Sequence, residues 1–213
     1  MKNYPVLTLN IVGNSVVARV KSDEVWVYVA GRSREELQQL IGGLDEGDKC
    51  FALSDEWMIP YVAGNRETEY VLSCVKLVYD GNVLLPPANY DVVQLSPEDT
   101  LYIHANSRYN EYTTVNYVEE RIRNGDALGI RMDGKLVVWL ITHDDGAIGF
   151  MNVLEGYRRK GLATAVTSAM ARRLLERGEI PFVHIEEDNY KSMNLALKTG
   201  FRKYGKYYWV KLK

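Results

Sequence analysis

Cysteine is nearly absent from this chain: Cys50 and Cys74 are the two thiols among 213 residues. That rules out a disulfide framework. Neither thiol sits in a Cys/His/Asp/Glu pattern with metal-ligand spacing, so no metal site is expected. Both read as buried, reduced thiols. Long apolar runs are missing too. None approaches the roughly 18–20 residues of a membrane helix, and no basic-then-apolar leader opens the chain. The expectation is a cytoplasmic protein with no membrane partner. A surplus of positive charge is also lacking: 26 Lys+Arg face 28 Asp+Glu, a net charge of −2. That balance argues against general nucleic-acid affinity. Four tryptophans and fifteen tyrosines invite the idea of a base-stacking surface, but such surfaces pair aromatics with strong positive charge. They read as strand packing instead. The sequence holds no solenoid-length repeat and no low-complexity tract.

What remains is an ordinary globular composition, 46% hydrophobic and 25% charged, in a chain long enough for one large domain or two small ones. Charge is unevenly spread, −4 over residues 1–87 and +2 over 88–213. An anion would therefore meet the second part. The stretch "DGNVLLPPANYDVVQLSPEDT" carries the best boundary signal, turn chemistry at Asp80-Gly81-Asn82 and an extended connector at Pro86-Pro87. The expected division is a small α/β domain over 1–87 and a second domain over 88–213.

In the first part, "VWVYVA" reads as a strand. "SREELQQLIGG" reads as a short helix with Ser33 as cap and Glu36 as its capping-box partner. "CFALS" and "YVLSCVKLVYD" read as further strands. In the second part, Ser96 caps a helix with Pro97 at its first position and Asp99 in its first turn. "TTVNYVEERIRNG" is another short helix. Strands "DALGIRM", "KLVVWLITH" and "AIGFMNVL" come next, joined by Asp133-Gly134 and Asp144-Asp145-Gly146, which are hairpin signals. Then come a helix after Gly161, the strand "FVHIEE", a helix "NYKSMNLALKTG" capped by Asn189, and a last strand "YYWVKL".

The stretch "YRRKGLATAVTSAMARRLLERG" crowds Arg158, Arg159 and Lys160 at the start of a helix, where the dipole already disfavours cations. Leu162, Val166, Met170 and Leu174 form an apolar row that Ala165, Ala169 and Leu175 widen. Thr167, Ser168, Arg172, Glu176 and Arg177 are polar, so the helix is amphipathic and lies on a sheet. Gly161 has no Cβ, which lets a bulky anion approach the backbone. The N–H groups of residues 159–164 can then converge on a diphosphate, with the cations at the rim.

The pattern Arg158-x-x-Gly161-x-Ala163, between a strand and a helix, resembles the acyl-CoA loop of the GCN5-related N-acetyltransferase (GNAT) superfamily. Asn189, Lys198, Gly200 and Phe201 match a second segment of that family, an Asn followed by a helix ending Lys-x-Gly-Phe. The resemblance covers residues 88–213, and "GKLVVWLITHDDGAIGFMNVLEGYRRKGLA" looks like the FR47-like, glycine N-acyltransferase-like branch. It implies a mixed α/β (α+β) fold, a mostly antiparallel splayed sheet flanked by helices. In that branch the first 87 residues would be a degenerate half-domain. It also implies acetyl-CoA or CoA as co-substrate. The diphosphate would lie on Arg158, Arg159, Lys160, Gly161, Leu162, Ala163 and Thr164. The pantetheine would lie against Asn152, Val153 and Leu154, with Asn189 and Ser192 on its far wall.

The implied reaction is direct attack of an amine on the thioester carbonyl, with backbone N–H groups near the splay stabilising the oxyanion. A base must take the amine's proton. Here the sequence departs from the family: Ala147 stands where glycine N-acyltransferases carry glutamate, and Ala196 where many members carry tyrosine. Asp145, Glu186 and Tyr207 are the candidate catalytic residues, with His143 and Tyr204 beside them. Each also has a plain structural reading, as turn, strand-end, packing or sheet residue. The acceptor is expected to be a small amine or amino acid. A protein N-terminus or lysine is the alternative within the class, and a CoA-binding module without efficient catalysis is the alternative outside it. The sheet could extend across two copies in a homodimer.

Overall fold

The computed structural model describes residues 4–81, 85, 89–107, 110 and 113–213. The proposed connector Pro86-Pro87 lies outside the described residues. The chain forms two compact units. One holds the described residues up to Lys76 with Ile185–Asp188 and Tyr204–Lys213; the other holds Leu77–His184 and Asn189–Lys203. They are called the N-terminal and C-terminal units below.

The N-terminal unit opens with β1 (Val6–Val12), β2 (Ser15–Lys21) and β3 (Val25–Ala30), which pair antiparallel in sequence. Helix α1 (Arg34–Ile41) is next, then β4 (Cys50–Leu53), α2 (Ile59–Ala63) and β5 (Thr68–Tyr79). Strand β4 pairs parallel to β3, because α1 supplies the crossover between them. Leu37 and Leu40 of α1 enter a core with Val27, Val29, Phe51 and Leu53. Ser33 caps α1 by accepting from the Glu36 N–H at 3.3 Å. The expected return bond of a capping box is replaced: the Glu36 carboxylate instead accepts from the Ser15 hydroxyl at 2.8 Å and the Asn14 N–H at 3.2 Å. It thereby ties the helix to the β1–β2 turn.

In the C-terminal unit, β6 (Val92–Gln94) leads into a 3-10 turn over Pro97–Asp99 and α3 (Thr100–Asn106). Ser96 and Asp99 form a full capping box there. Helix α4 (Val115–Asn124) is capped by Thr114. Strands β7 (Ala127–Met132), β8 (Lys135–Thr142) and β9 (Ile148–Val153) complete an antiparallel meander in the order β6-β7-β8-β9. Asp133 and Gly134 both hold positive φ, +51° and +78°, as the tight turn between β7 and β8 demands. Every residue of β8 from Leu136 to Thr142 is buried, the mark of a strand covered on both faces. Trp139 and Ile141 meet Ile103, Val118 and Ile122 of α3 and α4 in one core.

Helix α5 (Leu162–Glu176) packs along β7, β8 and β9. Its buried stripe is turned relative to the expected one. Thr167 and Ser168, expected among the polar face, are buried, and Leu175 is 40% exposed. The Thr167 hydroxyl lies 3.9 Å from the Met151 sulfur of β9, which gives it a partner inside. Strand β10 (Phe182–Glu186), α6 (Tyr190–Lys198) and β11 (Phe201–Leu212) end the chain. The second sheet runs β1-β2-β3-β4-β11-β5-β10, and its strands β5, β10 and β11 have residues in both units.

Candidate acyl-CoA site

The C-terminal unit carries a strand, a loop and a helix in direct succession: β9, a 3-10 turn over Glu155–Tyr157, and α5. Strand β9 is irregular. Trp139 opposes Asn152 and Ile141 opposes Gly149, so β9 has one more residue than β8 in that interval. Phe150 takes up the extra residue with φ of +47°, an unusual conformation for a bulky side chain. This bulge bends the strand and re-aims its backbone groups. Strand β9 is an edge of the four-stranded sheet and β10 an edge of the seven-stranded one. No ladder joins them among the described residues.

The loop after β9 carries two residues in the left-handed region. Arg159 holds φ of +62°, and Gly161, the N-cap residue of α5, holds φ +80° and ψ 0°. The first helical N–H groups, those of Leu162, Ala163 and Thr164, have no partner within α5 and face the positive end of its dipole. The Tyr90 hydroxyl donates to the Lys160 carbonyl at 2.5 Å and holds the loop. Arg158, Arg159 and Lys160 are exposed. Arg158 donates through Nε to the Val153 carbonyl at 3.2 Å, and the Lys160 ammonium stands 5.2 Å from the Tyr157 ring. Leu162 is buried, so it offers its N–H and not its side chain.

The remaining expected binding residues divide into two groups. Asn152, Val153 and Leu154 stand at the end of β9, directly before the loop. The Asn152 side chain donates to the Asn106 carbonyl at 2.9 Å. Asn189 and Ser192 open α6, where the Asn189 Oδ1 accepts from the Ser192 N–H at 3.2 Å. That oxygen is thereby used as a helix cap.

The candidate catalytic residues are not gathered in one unit. Glu186 and Tyr207 belong to the N-terminal unit, as does Tyr204. Tyr207 packs its ring 5.5 Å from Trp209, with the Lys76 ammonium 5.6 Å away. Asp145 and His143 belong to the C-terminal unit. The His143 Nδ1 meets the Tyr117 hydroxyl at 3.1 Å, and its ring covers Gly149 so closely that a Cβ there would lie 2.2 Å from Nε2. His143 is therefore packed into the sheet. Asp145 accepts from the Ala147 N–H at 2.8 Å through Oδ1. Its Oδ2 lies 3.4 Å from Nδ1 of His184 on β10, and both side chains are nearly buried. Sequence reasoning missed His184. The alternation of "FVHIEE" does put it on one face with Phe182 and Glu186, but a histidine inside a strand reads as packing. Ala147 and Ala196, which stand where the family carries its acid and base, are both buried. Among the described residues, no group of three or more His, Cys, Asp or Glu could hold a metal ion, and no helix is long and apolar enough to cross a membrane.

Comparison with known proteins bears on the fold. The family model for FR47-like proteins matches residues 127–210. A protein from Drosophila superposes with a TM-score of 0.72 at 23% identity, over 93% of this chain and 74% of its own. A GNAT-family acetyltransferase from Colwellia psychrerythraea gives 0.60 at 13% identity, over 98% and 84%. A GCN5-related N-acetyltransferase-like protein from Streptococcus suis gives 0.55 at 17%, over 98% and 89%. No curated protein matches the sequence. The chain thus shares the fold of GNAT acetyltransferases along nearly its whole length, and the FR47-like family model covers residues 127–210, the segment that carries the Arg158–Gly161 loop.

Proposed function

We propose that the protein transfers an acyl group, acetyl from acetyl-CoA, to the amine of a small molecule or amino acid. The observation that carries this reading is the loop Arg158–Gly161 opening α5, with left-handed residues at Arg159 and Gly161, directly after a bulged strand at the edge of its sheet. Such a loop suits a diphosphate. The unpaired edge of β9 suits the amide groups of a pantetheine arm, which can bond to a strand as another strand would. The residues that hold CoA are then Asn152–Leu154, Arg158–Thr164 and, at the start of α6, Asn189 and Ser192. The chemistry needs no covalent enzyme intermediate. The bulged backbone near Phe150 supplies N–H groups to the oxyanion, and the thiolate leaves.

Calorimetric titration with CoA and with acetyl-CoA tests the binding half. Heat is expected with the native chain and none with Gly161→Glu, whose carboxylate would stand at the diphosphate. Release of free thiol from acetyl-CoA against a panel of glycine, 2-phenylethylamine and a short peptide tests the transfer and selects the acceptor class. A chain that gives no heat with either ligand is not an acyl-CoA enzyme. A second reading has its own observation. Ala147 and Ala196 are buried core residues, so neither family position supplies an acid or base. Heat without turnover of any amine would make the protein a CoA-binding module.

A further inference from the structure

We infer that β1 is an association edge: two copies of this chain pair through it, antiparallel and centred on Leu9, so that the sheet continues from one copy into the other. Strand β1 ends the seven-stranded sheet and, among the described residues, pairs with β2 alone. Such an edge offers a row of backbone N–H and C=O groups to a further strand. Two usual defences are missing. Val6–Val12 reads VLTLNIV, with no charged residue and no proline. The register with β2 shifts between Val6 and Thr8, which leaves Thr8–Val12 regular. Val6, Leu7, Leu9 and Ile11 are 54%, 48%, 59% and 65% exposed, so one short strand holds four large aliphatic side chains in solvent. Scattered apolar residues need no explanation, but a contiguous row marks an interaction surface.

The strand itself selects a second copy as the occupant. Its chemistry reads alike in both directions from Leu9: Thr8 mirrors Asn10, Leu7 mirrors Ile11 and Val6 mirrors Val12. A copy turned end for end about Leu9 sets polar against polar and aliphatic against aliphatic, as a two-fold contact requires. The backbone agrees with that register. Gly13 and Asn14 form a two-residue turn, so the flanking Val12 and Ser15 exchange their backbone bonds with each other. By alternation Asn10 and Thr8 also turn their backbone groups to β2, and Leu9 and Ile11 turn theirs to the open side. Setting Leu9 against Leu9 of the second copy joins outward groups to outward groups. Charge fits as well. The Glu36 carboxylate lies over Gly13, where a Cβ would come 2.1 Å from Oε1. The Lys21 N–H donates to the Pro5 carbonyl at 3.1 Å, which puts Lys21 beside the other end of β1. Lys21 shares its face of β2 with Val17, which lies in the core that α1 joins. The two-fold pairing sets Pro5 of each copy against Gly13 of the other, and so brings Lys21 toward Glu36 at both ends. A contact between two such short edges is small, so the dimer is a reversible one.

Sedimentation velocity of the full chain should show the average mass rising from one chain toward two as concentration increases. Leu9→Lys places like charges face to face at the two-fold axis and should leave a monomer. Leu101→Lys, at a site 70% exposed on α3, removes a similar apolar group elsewhere and should leave the dimer intact. Cross-linking reads the register. Directly opposed, hydrogen-bonded residues have Cα atoms about 5.5 Å apart, within the span of a disulfide. Leu9→Cys should therefore form an interchain disulfide readily under mild oxidation. Ile11→Cys should form far less, because the two Ile11 positions stand about 13 Å apart along the paired strands. Cys50 and Cys74 are buried and do not compete. A native chain that stays monomeric at every concentration, a dimer that survives Leu9→Lys, or equal cross-linking of the two cysteine variants would each overturn the inference.

Discussion

Gly161 holds φ at +80° with open space where a Cβ would stand, so a side chain there is penalised by conformation and not by a clash. Replacement by alanine should cost about 1 kcal/mol of stability, read from the urea midpoint. The methyl group should weaken CoA binding far less than the Gly161→Glu charge does. Gly149 is the opposite case. A Cβ there would sit 2.2 Å from the His143 Nε2, and Tyr117 pins the other side of that ring. Gly149→Ala should therefore cost about 1–3 kcal/mol as overpacking. The same change in a His143→Ala background should cost clearly less, because the obstacle is gone. Additive costs would mean that the ring is not what forbids the methyl group.

At the level of elements, the turned stripe of α5 makes a contrast that a periodicity reading would get wrong. Met170 is fully buried, and Met170→Ala should destabilise by about 2–5 kcal/mol. Leu175 belongs to the same stripe by periodicity but is 40% exposed, and Leu175→Ala should stay within about 0.5 kcal/mol. Thermal or urea melts of the two variants check the pair. The extent of α5, its glycine entry and the strand before it were legible, because local rules govern them: capping, periodicity and the need for a Cβ-free residue at positive φ. Which flank of the helix is covered depends on β7–β9, and no local rule carries that. The bulge at Phe150 was illegible for the same reason, since it exists only as a mismatch with β8. The β1–β2 hairpin is a different miss. Leu7, Leu9 and Ile11 alternate before Gly13-Asn14, a usable hairpin signal, but these residues face outward and join no core with the strands beside them. His184 was hidden because its partner Asp145 is distant in sequence and meets it only through the placement of β9 and β10.

For the molecule as a whole, the scarce thiols set a limit at alkaline pH. Cys74 is buried in β5, and its pKa is pushed up to about 12, first by burial and then by the carboxylates of Glu186 and Glu187. The Cys50 thiol is also raised, mainly by burial. In the unfolded chain a thiol ionises near its ordinary value of 9.0. Between pH 9 and about 12 the unfolded chain therefore releases a proton that the folded chain keeps. Stability contributed by the neutral thiol is complete below about pH 9 and is lost progressively as pH rises through that window. Urea midpoints for the native chain should accordingly drop from about pH 8.5 to about pH 10.5. Tyrosine and lysine ionisation lowers them too, so the informative quantity is the slope relative to Cys74→Ala. The variant starts lower, having lost buried volume, but should fall less steeply with pH. Parallel slopes would show that the Cys74 thiol ionises as readily in the folded chain as in the unfolded one, and that burial in β5 does not hold its proton.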